Sequence, residues 1–227
     1  MKKNLLTMVL VSCAAAMSQL LLFASCETDN YAKGTGEYSL MQADFADLSV
    51  DAQKQAVSFL TDDGDNYRFR SPVAAQWIQT ADTTYRAIVY YNKVSDTEAE
   101  AVAVGTVPTL LPREHWKYKM LPQDPVGFES AWVSGSGRYV NVGLLLKSGR
   151  VDDEEGTHTI GLAQDTVLTR ADGRRTAYYR FLHDQGDVPE YYTNRRYVSI
   201  LIPADRPDSI HLTLQTYDGL VERQFAL

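Results

Sequence analysis

The chain has 227 residues, of which 44% are hydrophobic and 22% are charged, and its formal net charge is −7 at pH 7. This apolar share is enough for one or two hydrophobic cores. The excess of acidic residues argues against nucleic acid as a partner, because phosphate binding needs a basic surface.

The first 25 residues have the three parts of a secretory signal peptide. Two early lysines form a basic start, residues 5–23 carry no charge, and two small residues precede Cys26. Small residues directly before a cysteine are typical of bacterial lipoprotein signals, in which the cysteine thiol receives a lipid. We therefore predict that residues 1–25 are removed, that Cys26 is lipidated and binds the membrane, and that residues 26–35 form a tether.

The sequence allows two alternatives to this processing. Cleavage before Cys13 would leave a short apolar core in the signal and an apolar stretch, residues 14–23, on the mature protein. An uncleaved membrane anchor is the other alternative, since the apolar run approaches the length of a span. Glu27 and Asp29 resemble a signal for surface display in bacteria of the Bacteroides type, although an ordinary solvated tether explains them equally. The predicted location is the outer membrane, with the protein periplasmic or surface-exposed.

Cysteine usage limits both the stability and the chemistry of the mature chain. Only Cys13 and Cys26 are present, so processing leaves Cys26 alone among 202 residues. An internal disulfide, a cysteine-based zinc site and a cysteine nucleophile are thereby excluded. Loss of the two early lysines gives the mature chain 20 basic and 29 acidic residues, a net charge of −9.

The first half of the mature chain is predicted to consist of short strands rich in β-branched and aromatic residues. These strands are expected at 36–45, 55–60, 67–70, 84–92 and 98–104. Residues 47–60 are ambiguous, because a short helix capped by Ser49 would also fit their beginning. The stretch from Asp62 to Asn66 is a dense turn signal.

A proline-rich segment, 107–125, marks the predicted boundary between two domains. It holds four of the eight prolines, which cannot donate to a sheet ladder. We expect a stiff linker over 113–125. Arg113, Trp116 and Tyr118 form a candidate binding surface there, although packing of Trp116 in the seam between the domains is the favoured interpretation.

The second half is more clearly β-structured, with turns rich in Gly, Pro and Asp. Strands are expected at 128–133, 138–147, 158–162, 166–170, 177–183, 191–202, 209–217 and 221–227. The apolar end of the second of these predicts a strand buried on both faces. Short strands at such intervals are typical of sandwiches and barrels, and two all-β units fit the length better than one.

Several short motifs together resemble the NigD-like lipoproteins of the Bacteroides group. They are Gly36-Glu37-Tyr38, Asp44-Phe45, Thr61-Asp62-Asp63-Gly64, Asp82-Thr83-Thr84-Tyr85-Arg86, Tyr90-Tyr91, Asp124-Pro125-Val126, Trp132, Tyr139-Val140-Asn141, Leu182-His183-Asp184 and Tyr217-Asp218-Gly219. The resemblance implies an all-β fold, with an OB-fold-like barrel over 36–112 and an immunoglobulin-like β-sandwich over 126–227. It also implies lipid anchoring and a role in bacteriocin immunity, and it brings no catalytic residues.

The residues themselves predict no catalytic, cofactor or metal site. A calcium loop starting at Asp62 or Asp63 would need a ligand at its twelfth position, where Val73 or Ala74 stands. The four histidines lie far apart in sequence, and neighbouring residues such as His183 and Asp184 point to opposite faces of a strand. The acidic run 152–155 is interpreted as a solvated turn.

The function predicted from this reasoning is binding without catalysis, to a peptide or a protein, with bacteriocin immunity as the specific form. The alternative is a surface glycan-binding protein, because 14 tyrosines and 3 tryptophans suit sugar stacking and OB barrels often bind oligosaccharides. A hydrolase ranks third, since carboxylate pairs cannot be located from sequence.

Overall fold

A computed structural model describes residues 40–151, 154–155 and 157–227. The predicted signal, Cys26, the tether and the start of the first predicted strand lie outside these residues, as does most of the acidic turn. Within the part that is described, no helix is long and apolar enough to cross a membrane.

The first half of the described chain is a closed five-stranded barrel. Its strands are β1 (Met41–Val50), β2 (Ala56–Thr61), β3 (Asn66–Val73), β4 (Thr83–Lys93) and β5 (Glu98–Thr106). The strands neighbour one another in the order β1-β2-β3-β5-β4, and pairing of β1 with β4 closes the ring. The predicted OB-like barrel is confirmed.

Alternation along these strands fills the barrel. Phe59, Tyr67, Phe69 and Tyr91 point inward and pack ring against ring, with centroids about 5 Å apart. The short helix considered for the beginning of 47–60 is wrong, because β1 continues to Val50. The chain then reverses in a turn held by the Asp51 carboxylate, which accepts hydrogen bonds from two backbone N–H groups.

The second half is a sandwich of two sheets, as predicted. Its strands are β6 (Thr109–Leu110), β7 (Arg113–Glu114), β8 (Gly127–Val133), β9 (Tyr139–Ser148), β10 (Arg150–Val151), β11 (Glu154–Glu155), β12 (Thr159–Thr169), β13 (Arg175–Asp184), β14 (Tyr192–Leu201), β15 (Ser209–Thr216) and β16 (Gly219–Ala226). One sheet has the order β16-β15-β13-β12-β7 and the other β6-β14-β9-β8. Among the described strands, β10 and β11 pair only with each other.

Strand β9 is buried along nearly its whole length, as its apolar sequence predicted. Its even-numbered residues Val140, Val142 and Leu144 enter the sandwich core. Its odd-numbered face carries Tyr139 and Asn141, and these contact side chains of the barrel. The barrel therefore covers the outer face of this sheet, which explains burial on both faces.

The two strands predicted at 158–162 and 166–170 are one strand, β12. A bulge between Gln164 and Thr166 shifts its register against β13. The polar residues at this point suggested a turn between two strands. Instead the strand continues through the bulge, and the side chain of the extra residue, Asp165, accepts hydrogen bonds from Arg180 of β13.

The proline-rich segment hydrogen-bonds to both sheets. Strand β6 pairs in parallel with β14, and β7 pairs in parallel with β12. A single 3₁₀ turn, His115–Lys117, follows β7. The segment predicted as a stiff linker thus adds short strands to the edges of the sandwich, and the domain limits 36–112 and 126–227 remain a proposal.

Candidate functional site

The outer face of the barrel strands β1 and β4 meets the sandwich around one buried arginine. Arg86, only 5% exposed, donates two hydrogen bonds to the Asp62 carboxylate at 2.8 and 2.6 Å. The same guanidinium donates to Ser199 Oγ and to Asn141 Oδ1 on the sandwich, each at 3.1 Å. One barrel side chain therefore contacts two neighbouring sandwich strands.

A second acidic residue extends this network. Asp47 accepts a hydrogen bond from the Tyr139 hydroxyl at 3.0 Å and forms an ion pair with Arg138. The Arg86 guanidinium also lies 4.1 Å from the centre of the Tyr139 ring. Burial, followed by the nearby Asp47 carboxylate, raises the pKa of Tyr139. We call these residues the seam network: Asp47, Asp62, Arg86, Arg138, Tyr139, Asn141 and Ser199.

Close packing surrounds the seam network. Phe45 of the barrel stands edge-on to Trp132 and Tyr197 of the sandwich, at centroid distances of 5.5 and 5.3 Å. A Cβ at Gly135 would lie 2.8 Å from the Asp62 carbonyl oxygen, so two turns approach each other where only glycine fits. Buried charge networks need a defined geometry to be tolerated. The seam therefore fixes the barrel on the sandwich in one arrangement.

A cavity of about 720 Å³ opens beside the seam network. On β4, side chains two residues apart share a face, so Ile88 and Tyr90 continue the face of Arg86 and line the cavity. The sandwich contributes Leu144 and Ile160 from the opening between its sheets. This volume lies within the range of small-molecule sites, and the walls are largely apolar.

Two arginines and a histidine line this cavity, beside several hydroxyl side chains. Arg195 and Arg196 of β14 line it together with His158. Arg195 forms an ion pair with Glu129 at 2.5 Å. Arg196 is exposed and has no ion pair among the described residues. A guanidinium that has no ion pair within the described residues favours an anionic ligand group.

His158 is held by a second histidine. Its Nδ1 lies 2.9 Å from Nε2 of His183, whose Nδ1 lies 3.0 Å from the carbonyl oxygen of Asp124. Because a carbonyl only accepts, His183 carries its proton on Nδ1 and accepts from His158. The His158 Nε2 is buried and makes no hydrogen bond of normal geometry within the described residues. Burial, followed by the charge of His183, lowers the pKa of His158, while the nearby Lys147 backbone acts to raise the pKa of the ring.

Among the described residues that line the cavity, none is Asp, Glu or Cys. No group of three or more His, Cys, Asp or Glu side chains that could hold a metal occurs within the described ranges. The cavity can take an apolar group and an anionic group side by side.

The predicted surface on the proline-rich segment lies elsewhere. Trp116 is 67% exposed and stands edge-on to His115, so its predicted packing between the domains is wrong. The 3₁₀ turn places it at the sheet edge instead. The Tyr118 hydroxyl donates to the Leu162 carbonyl oxygen at 3.0 Å, and the Arg113 guanidinium lies 5.3 Å from the Tyr118 ring. A binding role for Arg113, Trp116 and Tyr118 stays a prediction, and so does lipidation of Cys26.

Neither the seam network nor the histidine pair was predictable from the sequence patterns described above. Asp62 was interpreted as part of a polar turn, which it is, yet its carboxylate also holds Arg86. An arginine inside an apolar strand was the available signal for a buried ion pair. No signal pointed to His158 and His183, because 25 residues separate them and the register of β12 on β13 brings them together.

Comparison with solved structures identifies the fold. A NigD-like immunity protein from Bacteroides caccae matches with a TM-score of 0.62 and 21% identity, over 82% of this chain and 97% of its own. This chain has the fold of a NigD-like immunity protein.

Two further structures share this NigD-like fold. A protein from Parabacteroides distasonis described as toxin-related matches with a TM-score of 0.61 and 17% identity, over 82% of this chain and 93% of its own. A protein from Bacteroides fragilis assigned as a lipoprotein matches with a TM-score of 0.58 and 14% identity, over 82% and 96%. No known family profile matches the chain. No curated protein matches it either.

Proposed function

We propose that this chain is a lipid-anchored protein of the cell envelope that binds a peptide or protein, and that it thereby confers immunity to a bacteriocin. The observation that carries the proposal is the cavity of about 720 Å³ beside the seam network, whose walls are largely apolar and whose described lining residues include two arginines and a histidine but no Asp or Glu. A cavity of this size with apolar walls and a few charged groups is typical of a binding site.

Two further observations support the proposal. The sequence before Cys26 has the order of a lipoprotein signal, which would tether the protein to the outer membrane on its periplasmic or external side. The similar structures include one described as an immunity protein and one described as toxin-related. A tethered binding protein in the envelope would meet a peptide toxin before it reaches its target.

Deletion of the gene tests this proposal. The deletion strain and its complemented parent are challenged with a broad panel of purified peptide bacteriocins from strains of the same habitat. We expect the deletion to lower the inhibitory concentration of at least one toxin by tenfold or more, and complementation to restore it. Equal sensitivity of both strains across the panel would contradict the immunity role.

A glycan-binding function is the second candidate, and the exposure of Trp116 favours it. Its indole is 67% exposed, next to the Arg113 and Tyr118 pair. Aromatic faces with neighbouring cations suit sugar rings. Calorimetry against a polysaccharide panel would show binding that Trp116→Ala abolishes and that Trp132→Ala retains. Absence of heat with every polysaccharide would exclude this candidate.

A further inference from the structure

Strand β14 has one edge that is only partly occupied. On one side it pairs with β9 along its whole length, from Tyr192 to Leu201. On the other side β6 pairs only with Ser199 and Ile200. Over residues 192–198, no strand of the described chain covers this second edge.

The backbone groups on the open side can be assigned from two hydrogen bonds. Ile202 N donates to Arg138 O, toward β9, and Ser199 N donates to Pro108 O, toward β6, each at 2.9 Å. Since direction alternates along a strand, the odd-numbered residues Arg195 and Tyr197 present their N–H and C=O groups to the open side. Within the described ranges, nothing bonds to these groups.

This open edge borders the cavity, because residues 195–198 are part of its lining. An unpaired strand edge in a cleft is the geometry into which an extended peptide adds as a further strand. Main-chain hydrogen bonds then give affinity, and pockets for alternate side chains give specificity.

The two faces of β14 define the side chains that such a strand would carry. The core face presents Val198, then Arg196, with Ile160 and His158 beside them. The barrel face presents Tyr197, with Ile88 and Tyr90 across the cavity. An apolar residue opposite Val198 and an acidic residue opposite Arg196 fit the core face, two positions apart.

We infer that the open edge of β14 binds an extended peptide segment by strand addition. The segment carries an acidic and an apolar residue two positions apart on the face that points toward Arg196 and Val198. This inference rests on the proposed binding function and specifies its partner as a peptide in β conformation.

Selection from a display library of random nine-residue peptides tests the inference on the full-length protein in detergent. We expect the library to yield enriched peptides. In each of them, N-methylation of every second residue, whose N–H faces β14, should weaken binding by at least tenfold. N-methylation of the residues in between should weaken it by less than threefold. The absence of enriched peptides, or equal effects of methylation at all positions, would overturn the inference.

Protein variants provide the matched control. Arg195→Ala and Arg195→Pro both remove the ion pair with Glu129, but only proline removes the N–H that faces the open edge. We expect the proline variant to bind at least tenfold more weakly than the alanine variant, with equal thermal stability. Equal binding by the two variants would overturn the inference. With Arg196→Glu, the library should yield peptides that carry a basic residue, in place of an acidic one, at the position opposite residue 196. Selection of the same acidic peptides would contradict the predicted pairing with Arg196.

Another occupant of the edge would be acidic residues 152–155 of the same chain, which precede His158 in sequence. Replacing these four residues by serine distinguishes the cases. Library peptides that bind only this variant would overturn the inference in favour of the chain's own segment. If Arg195→Pro still protects cells while gene deletion sensitises them, strand addition fails and the immunity proposal stands. If deletion has no effect, the immunity proposal itself fails.

Discussion

Arg86 of the barrel donates a hydrogen bond to Ser199 of the sandwich across 3.1 Å, and both side chains are at most 5% exposed. The same guanidinium donates one hydrogen bond to each oxygen of the Asp62 carboxylate. The contact between the two halves of the molecule thus depends on a buried charge whose partners come from both.

Truncation of Arg86 should destabilise the protein strongly. Arg86→Met leaves Asp62 largely buried without its partner, and breaking a buried pair this way costs about 3–5 kcal/mol. Urea unfolding of both proteins measures this cost. Arg174→Ala is the control, because it removes an exposed pair with Asp172 and should change the free energy of unfolding by less than about 1 kcal/mol. Similar small losses for both variants would mean that the seam network does not hold the halves together.

Two buried tyrosines should respond differently to replacement by phenylalanine. The Tyr179 hydroxyl is buried with no hydrogen-bond partner in the described chain, and burial raises its pKa to about 12. Tyr179→Phe should therefore leave stability unchanged or raise it by about 1 kcal/mol. The Tyr91 hydroxyl donates to Asp44 at 2.9 Å, so Tyr91→Phe should cost about 1–2 kcal/mol. Thermal and urea unfolding check both, and a stability loss in Tyr179→Phe would reveal a partner for its hydroxyl.

Acidic pH should weaken the fold through His158. Its pKa is below the ordinary value of 6.5, chiefly because of burial, then because of His183, and also because of Arg196. The unfolded chain therefore binds a proton first as pH falls below about 6.5, so the free energy of unfolding decreases from there until the folded pKa is reached. Urea titrations at pH 7.5 and 5.5 should show a smaller difference for His158→Gln than for wild type. His115→Gln serves as the control, and an identical pH dependence for all three proteins would contradict the assignment.

Lipidation should depend on Cys26 and not on Cys13. In cells labelled with an alkyne analogue of palmitate, wild type and Cys13→Ala should carry the label and sediment with membranes. Cys26→Ala should lose the label, because it removes the predicted acceptor of the lipid. Label on Cys26→Ala that disappears in Cys13→Ala would place the attachment site at Cys13 instead.

The sequence predicted the barrel and the sandwich because most strands carry their own alternation or apolar run. The bulge at Asp165 escaped prediction, since one extra residue changes a register without changing composition. The seam network escaped for a related reason: Asp62 and Asn141 are 79 residues apart, and only the packing of the two halves brings them within 3.1 Å. The open edge of β14 exists because the neighbouring strand β6 is too short to cover it. The residues of β14 itself therefore could not predict it.

The most direct test of binding at the cavity is protection of living cells by cavity variants. A deletion strain that has become sensitive to a bacteriocin is complemented with wild type, Ile88→Glu or Leu60→Glu, at matched protein levels in the membrane. Ile88 lines the cavity, whereas Leu60 is a 41% exposed barrel residue that does not. We predict that wild type and Leu60→Glu restore resistance and that Ile88→Glu does not. Full protection by Ile88→Glu would contradict the assignment of the cavity as the binding site.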